Sequence, residues 1–155
     1  MNPLPANILA CIAVAFYLTA CDPPNIMIGP GMSDFHAPVC GGYSIWRTSA
    51  HQISVVPDDG WNASTPIIPT KVIECAFDDR FVIAKRQGLK RRSPDDPNDT
   101  YEEPDPNVFD FWILDTSAPK VFGPLSEAEF ETTKTELKVP PKLRLRDVYD
   151  YRPKK

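Results

Sequence analysis

The stretch KVIECAFDDRFVIAKR, residues 71–86, decides the fold. It holds two runs of β-branched and aromatic residues, 72–77 and 81–85, on either side of the turn segment Asp78-Asp79-Arg80. Apolar residues that alternate along such a run lie on one face of a strand, so the stretch predicts a β-hairpin. The residues expected on one face are Ile73, Cys75 and Phe77 in the first strand, and Phe81 and Ile83 in the second.

Strands are also predicted on both sides of this hairpin. Residues 43–48 and 52–56 form a hairpin before it, and residues 107–115 and 120–122 form another after it, because these runs are rich in β-branched and aromatic side chains. The 18 prolines among 155 residues argue against long uninterrupted helices. The sequence therefore predicts one small antiparallel sheet of about five to six strands.

A single helix is expected near the C-terminus. Ser126 and Glu129 have the spacing of a capping box, and Leu125 and Phe130 have the spacing of a hydrophobic staple. The helix should run to about Leu137 and pack on the sheet through its apolar side chains. The predicted fold class is α+β.

The overall charge argues against nucleic acid as a partner. The chain has a net charge of −4, with 17 Lys and Arg against 21 Asp and Glu. Nucleic-acid binding needs a face with closely spaced Lys and Arg, so no nucleic-acid partner is expected.

The first twenty residues predict an export signal. They contain no charged side chain, and residues 8–18 form an apolar run of eleven residues. A membrane-spanning helix needs about 20 apolar residues, whereas the core of a signal peptide needs about 7 to 15. The alternative is a buried helix or strand that ends in Ala20-Cys21.

The motif Leu18-Thr19-Ala20-Cys21 resembles the lipobox of bacterial lipoproteins, in which an aliphatic residue and two small residues precede a cysteine. The resemblance implies that residues 1–20 are a lipoprotein signal peptide and that Cys21 receives a lipid. It also implies a protein anchored in the bacterial cell membrane, facing the periplasm or the cell exterior. The expected partners are the membrane, through the lipid on Cys21, and an unknown envelope protein or ligand.

The mature chain divides by composition into a tether, a domain and an insertion. Residues 21–39 are rich in Pro, Gly and Asn, which is typical of an extended tether. A single α+β domain is expected over residues 40–152. Within it, residues 87–106 carry nine charged residues and four prolines but almost no apolar side chain, so they predict a disordered insertion.

Cys40 and Cys75 are the two cysteines that remain after signal cleavage and lipidation of Cys21. Export places them in an oxidising compartment, where a disulfide between them would stabilise the fold by about 3 to 4 kcal/mol. Cys75 also has the strand position of a small core residue, and in that case it never meets Cys40. Both alternatives are compatible with the sequence.

No residue pattern points to catalysis, a metal or a cofactor. Neither His36 nor His51 lies in a motif for a nucleophile or a metal site, so no catalytic or metal-ligating residue is assigned and no cofactor is expected. An envelope hydrolase that uses His51 is the alternative. Trp61, in a loop with Gly60 and Asn62, is the aromatic residue expected to be exposed and to contact a ligand.

Four segments, GGY at 41–43, FWILD at 111–115, KVFGPLS at 120–126 and DVY at 147–149, resemble a family of small exported bacterial proteins of unknown function. The resemblance covers most of residues 41–152 and implies a compact domain of a sheet and a helix. It implies no activity. We therefore expect an uncharacterised lipoprotein of the cell envelope that acts as a non-catalytic binding or interaction module.

The Cys21→Ser substitution tests the lipid anchor. Serine lacks the thiol that would accept the lipid, so the variant should carry no acyl mass and should be released from the membrane fraction. Intact-mass spectra and cell fractionation of both proteins check this expectation. A wild-type chain that retains Met1 and carries no acyl mass would contradict the lipoprotein prediction.

Overall fold

The structure is a computed structural model that describes residues 34–154. The predicted signal peptide, Cys21 and the predicted tether up to residue 33 lie outside the described residues. Across the described residues, eight strands form two antiparallel sheets, accompanied by one α-helix and a short 3-10 helix. The α+β class with one C-terminal helix is confirmed, although the strands form two sheets and not one.

The first sheet has three strands in the order β1-β2-β3, and the second has five in the order β7-β6-β5-β4-β8. The strands of the first sheet are β1 (Phe35–Pro38), β2 (Tyr43–Arg47) and β3 (Ile53–Pro57). Those of the second are β4 (Val72–Phe77), β5 (Phe81–Arg91), β6 (Glu102–Asp115), β7 (Lys120–Leu125) and β8 (Arg146–Asp147). The α-helix α1 (Glu127–Leu137) follows β7, and the 3-10 helix (Val148–Tyr151) follows β8.

The pairing of β5 with β6 lies at the centre of the larger sheet. Val82 is opposite Leu114, and Ile83 is opposite Ile113. Successive side chains of a strand point to opposite faces, so these two pairs lie on different sides of the sheet, and all four residues are buried. Burial on both faces explains why this part of the sequence is continuously apolar instead of strictly alternating.

Two apolar cores cover the two faces of the larger sheet. One core lies between the two sheets, and the other lies between the larger sheet and α1 with the segment that follows it. The first contains Phe35, Ala37, Tyr43, Ile45, Ile53, Val55, Ile68, Val72, Cys75, Val82, Ala84, Trp112, Leu114 and Val148. The second contains Ala76, Phe81, Ile83, Ile113, Phe130 and Val139.

Helix α1 begins at the predicted capping box. The Ser126 side chain accepts a hydrogen bond from the Glu129 backbone N–H at 3.3 Å, and the Ser126 backbone N–H donates to Glu129 Oε2 at 2.8 Å. The helix then buries Phe130, whose ring stacks on Phe111 of β6 at 4.9 Å between centroids. The cap sets where the helix starts, and this ring fixes the helix to the sheet.

The predicted tether over residues 21–39 is wrong at its C-terminal end, because residues 35–38 form β1. This strand pairs with β2 and buries Phe35 and Ala37 against the first core. Pro38 made the segment look like a linker, yet proline is tolerated at the edge of a sheet, where its missing N–H breaks no ladder hydrogen bond. The domain therefore includes β1 and does not begin at residue 40.

The predicted disordered insertion over residues 87–106 differs from the structure, in which β5 and β6 extend into it as a long hairpin. Lys90 lies opposite Glu103 in the register and forms an ion pair with it at 3.8 Å. At the hairpin tip, Arg92 forms an ion pair with Asp99 at 2.9 Å. Cross-strand pairs of opposite charge and the backbone ladder order this segment without an apolar core of its own.

The turn between β1 and β2 gives a matched pair of glycine variants. Gly41 and Gly42 both have positive φ, at +60° and +75°. A Cβ on Gly41 would lie 2.3 Å from Thr116 Cβ, whereas a Cβ on Gly42 would meet no atom within 4 Å. We expect Gly42→Ala to lower the free energy of unfolding by about 1 to 2 kcal/mol, and Gly41→Ala by about 2 to 5 kcal/mol, because only the second adds a steric clash.

Urea unfolding of both variants measures this difference. An equal loss of stability in the two variants would show that the Thr116 side chain moves aside without cost, and that close packing of this turn does not constrain Gly41.

Candidate functional site

Three aromatic side chains lie together on the face of the smaller sheet that points away from the core. His36 of β1 and Trp46 of β2 are directly opposite in the strand register, with ring centroids 5.3 Å apart and planes at 85°. Trp61 meets Trp46 in the same edge-to-face manner, at 5.5 Å and 89°. We call His36, Trp46 and Trp61 the aromatic surface.

The loop after β3 holds Trp61 in place. Asn62 and Thr65 hydrogen-bond to each other twice, because the Asn62 N–H donates to Thr65 Oγ1 and the Thr65 N–H donates to the Asn62 carbonyl, both at 3.0 Å. The Ser64 N–H also donates to Asn62 Oδ1 at 2.8 Å. This small turn fixes the chain next to Trp61, whose side chain is nevertheless 46% exposed.

Asp58 supports the aromatic surface from one side. Its Oδ1 lies 3.1 Å from His36 Nε2 and accepts a hydrogen bond of 2.6 Å from the Ser44 hydroxyl. In a serine protease triad the histidine lies between the serine and the carboxylate and takes the serine proton. Here the carboxylate lies between the other two, so the cluster orients His36 and does not activate Ser44 as a nucleophile.

A groove of about 570 Å³ opens beside Asp58. It offers carboxylate oxygens that can accept hydrogen bonds, and burial together with the charge of Asp59 raises the pKa of Tyr43. The Tyr43 hydroxyl therefore stays protonated and keeps its hydrogen for donation. The residues that line the groove are Gly41, Gly42, Tyr43, Pro57, Asp58, Asp59, Gly60, Thr65, Pro66 and Pro119.

His51 lies in a separate cleft of about 440 Å³ between the β2–β3 turn and the tip of the β5–β6 hairpin. Asp99 and Glu102 lie on its walls. Among the described residues, however, no side chain hydrogen-bonds to the His51 ring, and its Nδ1 atom is buried. The Ser49 hydroxyl accepts hydrogen bonds from the backbone N–H groups of His51 and Gln52, so it shapes the turn and does not contact the ring.

Cys40 and Cys75 are both free thiols in this structure. Burial, with a smaller contribution from Cys40, raises the pKa of Cys75 to about 12. Cys40 is partly buried, its Sγ lies 3.8 Å from Thr116 Oγ1, and burial raises its pKa as well. Cys75 is thus a fully buried residue of the first core, and Cys40 packs against the same core.

Asp115 has a strongly perturbed carboxyl group with a structural cause. Hydrogen bonds from the Arg80 guanidinium, at 2.6 Å for the shortest, and from the Ser117 hydroxyl hold the pKa of Asp115 well below its usual range. Perturbed carboxyls often mark functional sites. This one is satisfied by its partners and fixes the turn between β6 and β7.

Two further features concern only the described span. Within residues 34–154, no three side chains of His, Cys, Asp or Glu converge as a metal site would require. Over the same residues, no helix is both long and apolar enough to cross a membrane.

Comparison of the chain with known protein families finds a match over most of its length. Residues 40–149 match the family described as "Protein of unknown function (DUF3997)". The chain belongs to this family. The span matched by the family contains Trp46, Asp58 and Trp61, whereas His36 precedes it. No curated protein and no solved structure matches the chain.

The sequence singles out Trp61 as the exposed ring of the aromatic surface but does not predict its contacts with the other two rings. The exposed loop position of Trp61 was readable from its Gly and Asn neighbours. The contact between His36 and Trp46 depends on the register of β1 with β2, whereas the sequence predicts a tether for the residues of β1. The signal that could have found it is the alternation of buried Phe35 and Ala37 with exposed His36.

Alkylation of the native protein tests the state of the two cysteines. Iodoacetamide at neutral pH should label Cys40 slowly, and faster as the pH rises toward its raised pKa, because the thiolate is the reactive form. Cys75 should react only after unfolding, since it is fully buried. Peptide mass mapping checks both rates. If neither cysteine is labelled in denaturant without a reductant, the disulfide alternative is correct instead.

Proposed function

We propose that this protein is a lipid-anchored binding module of the bacterial cell envelope, and that it holds its ligand at the aromatic surface without catalysing a reaction. The lipobox resemblance at Cys21 supports the anchor and the location. The observation that carries the binding role is the Trp61 ring, nearly half exposed yet fixed by its edge-to-face contact with Trp46.

A fixed aromatic ring is suited to binding because little conformational entropy remains to be lost when the ligand arrives. Single exposed apolar residues are common on protein surfaces and need no function. Trp61 differs because it ends a row of three rings, and because the Asn62–Thr65 turn restrains the loop that carries it. The arrangement is a preorganised contact surface.

The chemistry around Trp61 indicates the kind of ligand. The ring offers an apolar face, and Asp58 and Asp59 in the adjoining groove offer hydrogen-bond acceptors. A ligand that fits has one apolar face and several hydroxyl or amide donors around it, as a saccharide ring or a short peptide does. Both are available in peptidoglycan, the main polymer of the bacterial envelope.

An envelope hydrolase that uses His51 is the second candidate. It is favoured by the cleft that brings His51 near two carboxylates, Asp99 and Glu102. A general base needs a hydrogen-bond path to the proton that it removes and a partner that orients its ring. Among the described residues no such partner contacts the ring, so binding at the aromatic surface is the better supported function.

Titration with soluble peptidoglycan fragments, followed by tryptophan fluorescence, tests the proposal. The Trp61→Ala variant should raise Kd by a factor of about 5 to 150, because loss of one stacking ring removes about 1 to 3 kcal/mol. The matched control is Phe109→Ala, because Phe109 is 44% exposed on β6 and lines neither the groove beside Asp58 nor the His51 cleft, and it should leave Kd unchanged.

Two outcomes contradict the binding proposal. An unchanged Kd in Trp61→Ala would show that the aromatic surface is not the binding site. Cleavage of the fragments by the wild-type protein, abolished in His51→Ala at unchanged thermal stability, would establish the hydrolase instead.

A further inference from the structure

The C-terminal segment concentrates positive charge in an acidic protein. Residues 142–155 hold six of the 17 Lys and Arg residues and only two of the 21 Asp and Glu residues. Five of the six cations lie among the described residues, and all five are exposed. We call Lys142, Arg144, Arg146, Arg152 and Lys154 the C-terminal basic surface.

These cations differ from three other arginines of the domain in their partners. Arg80, Arg86 and Arg92 each form an ion pair of 2.6 to 2.9 Å with an aspartate. None of the ion pairs between residues 34 and 154 includes a member of the C-terminal basic surface. Their charge is therefore available to a partner outside the domain.

Four carboxylates lie in the same region, and two of them are engaged with the backbone. Asp78 Oδ1 accepts hydrogen bonds from the N–H groups of Arg80 and Phe81, and Asp147 Oδ1 accepts one from the Tyr149 N–H. Asp79 lines the cleft beside Arg144, and Asp150 lies in the 3-10 helix. Two more carboxylates border the region, but Glu74 pairs with Lys85 at 3.9 Å and Asp34 pairs with Arg47 at 3.5 Å, so the five cations of the surface exceed the four remaining carboxylates by one.

An exposed aromatic ring accompanies the charges. Tyr149 is 43% exposed, and the Arg152 guanidinium lies over its ring at 5.5 Å. The same guanidinium lies 5.9 Å from the ring of Phe35, the first residue of β1. Tyrosine is enriched where membrane proteins meet the headgroup region, so an exposed tyrosine among cations fits such a contact.

The contact with Phe35 places this surface next to the point where the chain enters the domain. Asp34 lies thirteen positions after Cys21, and a fully extended segment of that length spans at most about 45 Å. A lipid on Cys21 would thus keep the surface within that distance of the bilayer, which raises its effective concentration at the headgroups.

We infer that the C-terminal basic surface binds anionic phospholipid headgroups of the membrane that holds the anchor. This inference rests on the lipid anchor of the proposed function. One cation near an anionic bilayer surface changes a binding constant about fivefold, and such a patch commonly adds to a covalent lipid in fixing a protein on a membrane. The surface therefore sets the orientation of the domain on the bilayer.

Hydrogen exchange of the lipidated mature protein in vesicles tests the inference. The protein is reconstituted in phosphatidylcholine alone and in phosphatidylcholine with phosphatidylglycerol, and exchange is followed in the peptide that contains the 3-10 helix, Val148–Tyr151. We expect slower exchange only in the anionic vesicles, and loss of this protection at high salt, because salt screens the charges.

Two triple variants with the same change of net charge provide the comparison. Lys142→Gln/Arg144→Gln/Lys154→Gln removes three members of the surface and should abolish the protection. Lys90→Gln/Lys120→Gln/Lys138→Gln removes three exposed cations elsewhere and should retain it.

The outcomes separate the inference from the anchor. If the protein floats with both vesicle types but its 3-10 helix shows no slower exchange in the anionic ones, the basic surface is not a membrane contact. The lipid anchor is then unaffected. Equal protection in both vesicle types also overturns it, since the contact would then not depend on lipid charge. Failure to float with either vesicle type overturns the anchor and the inference together.

Discussion

The antiparallel pairing of β5 with β6 is the interaction on which the rest of the structure depends. It places Val82 and Leu114 on one face of the sheet and Ile83 and Ile113 on the other, and full burial of each such side chain is worth about 1.5 to 3 kcal/mol. A sheet that is apolar on both faces needs a cover on each side. The smaller sheet covers one face and α1 covers the other, so both arise from the same pair of strands.

The sequence predicts the local elements well because the signals are local. The capping box places the start of α1 at its observed position, and the predicted hairpin over residues 71–86 matches β4 and the first half of β5. The division of the strands into two sheets cannot be predicted from the sequence. An apolar run shows that both faces of a strand are buried, but it does not show which segment covers each face. Strand β1 is not predicted for the same reason, because the alternation in its four residues becomes significant only when β1 pairs with β2.

The candidate site follows the same division between local and long-range information. The exposure of Trp61 follows from its own loop, and it was predicted. The Trp61 ring is fixed by Trp46 on β2, and Trp46 in turn contacts His36 on β1. Both residues are distant from Trp61 in sequence. The His51 cleft also depends on long-range contacts, because it forms only when the β5–β6 hairpin folds toward the β2–β3 turn, whereas the sequence predicts disorder for residues 87–106.

Strand β1 links the aromatic surface to the C-terminal basic surface. Phe35 contacts Tyr149, with ring centroids 6.2 Å apart, and the next residue, His36, contacts Trp46 on the opposite face of the strand. Successive residues of one strand thus contact Arg152 of the basic surface and Trp46 of the aromatic surface, and the ladder with β2 fixes the angle between the two surfaces. A domain held on the bilayer by its basic surface would therefore present Trp61 at a constant height and orientation, which a flexible tether alone does not provide.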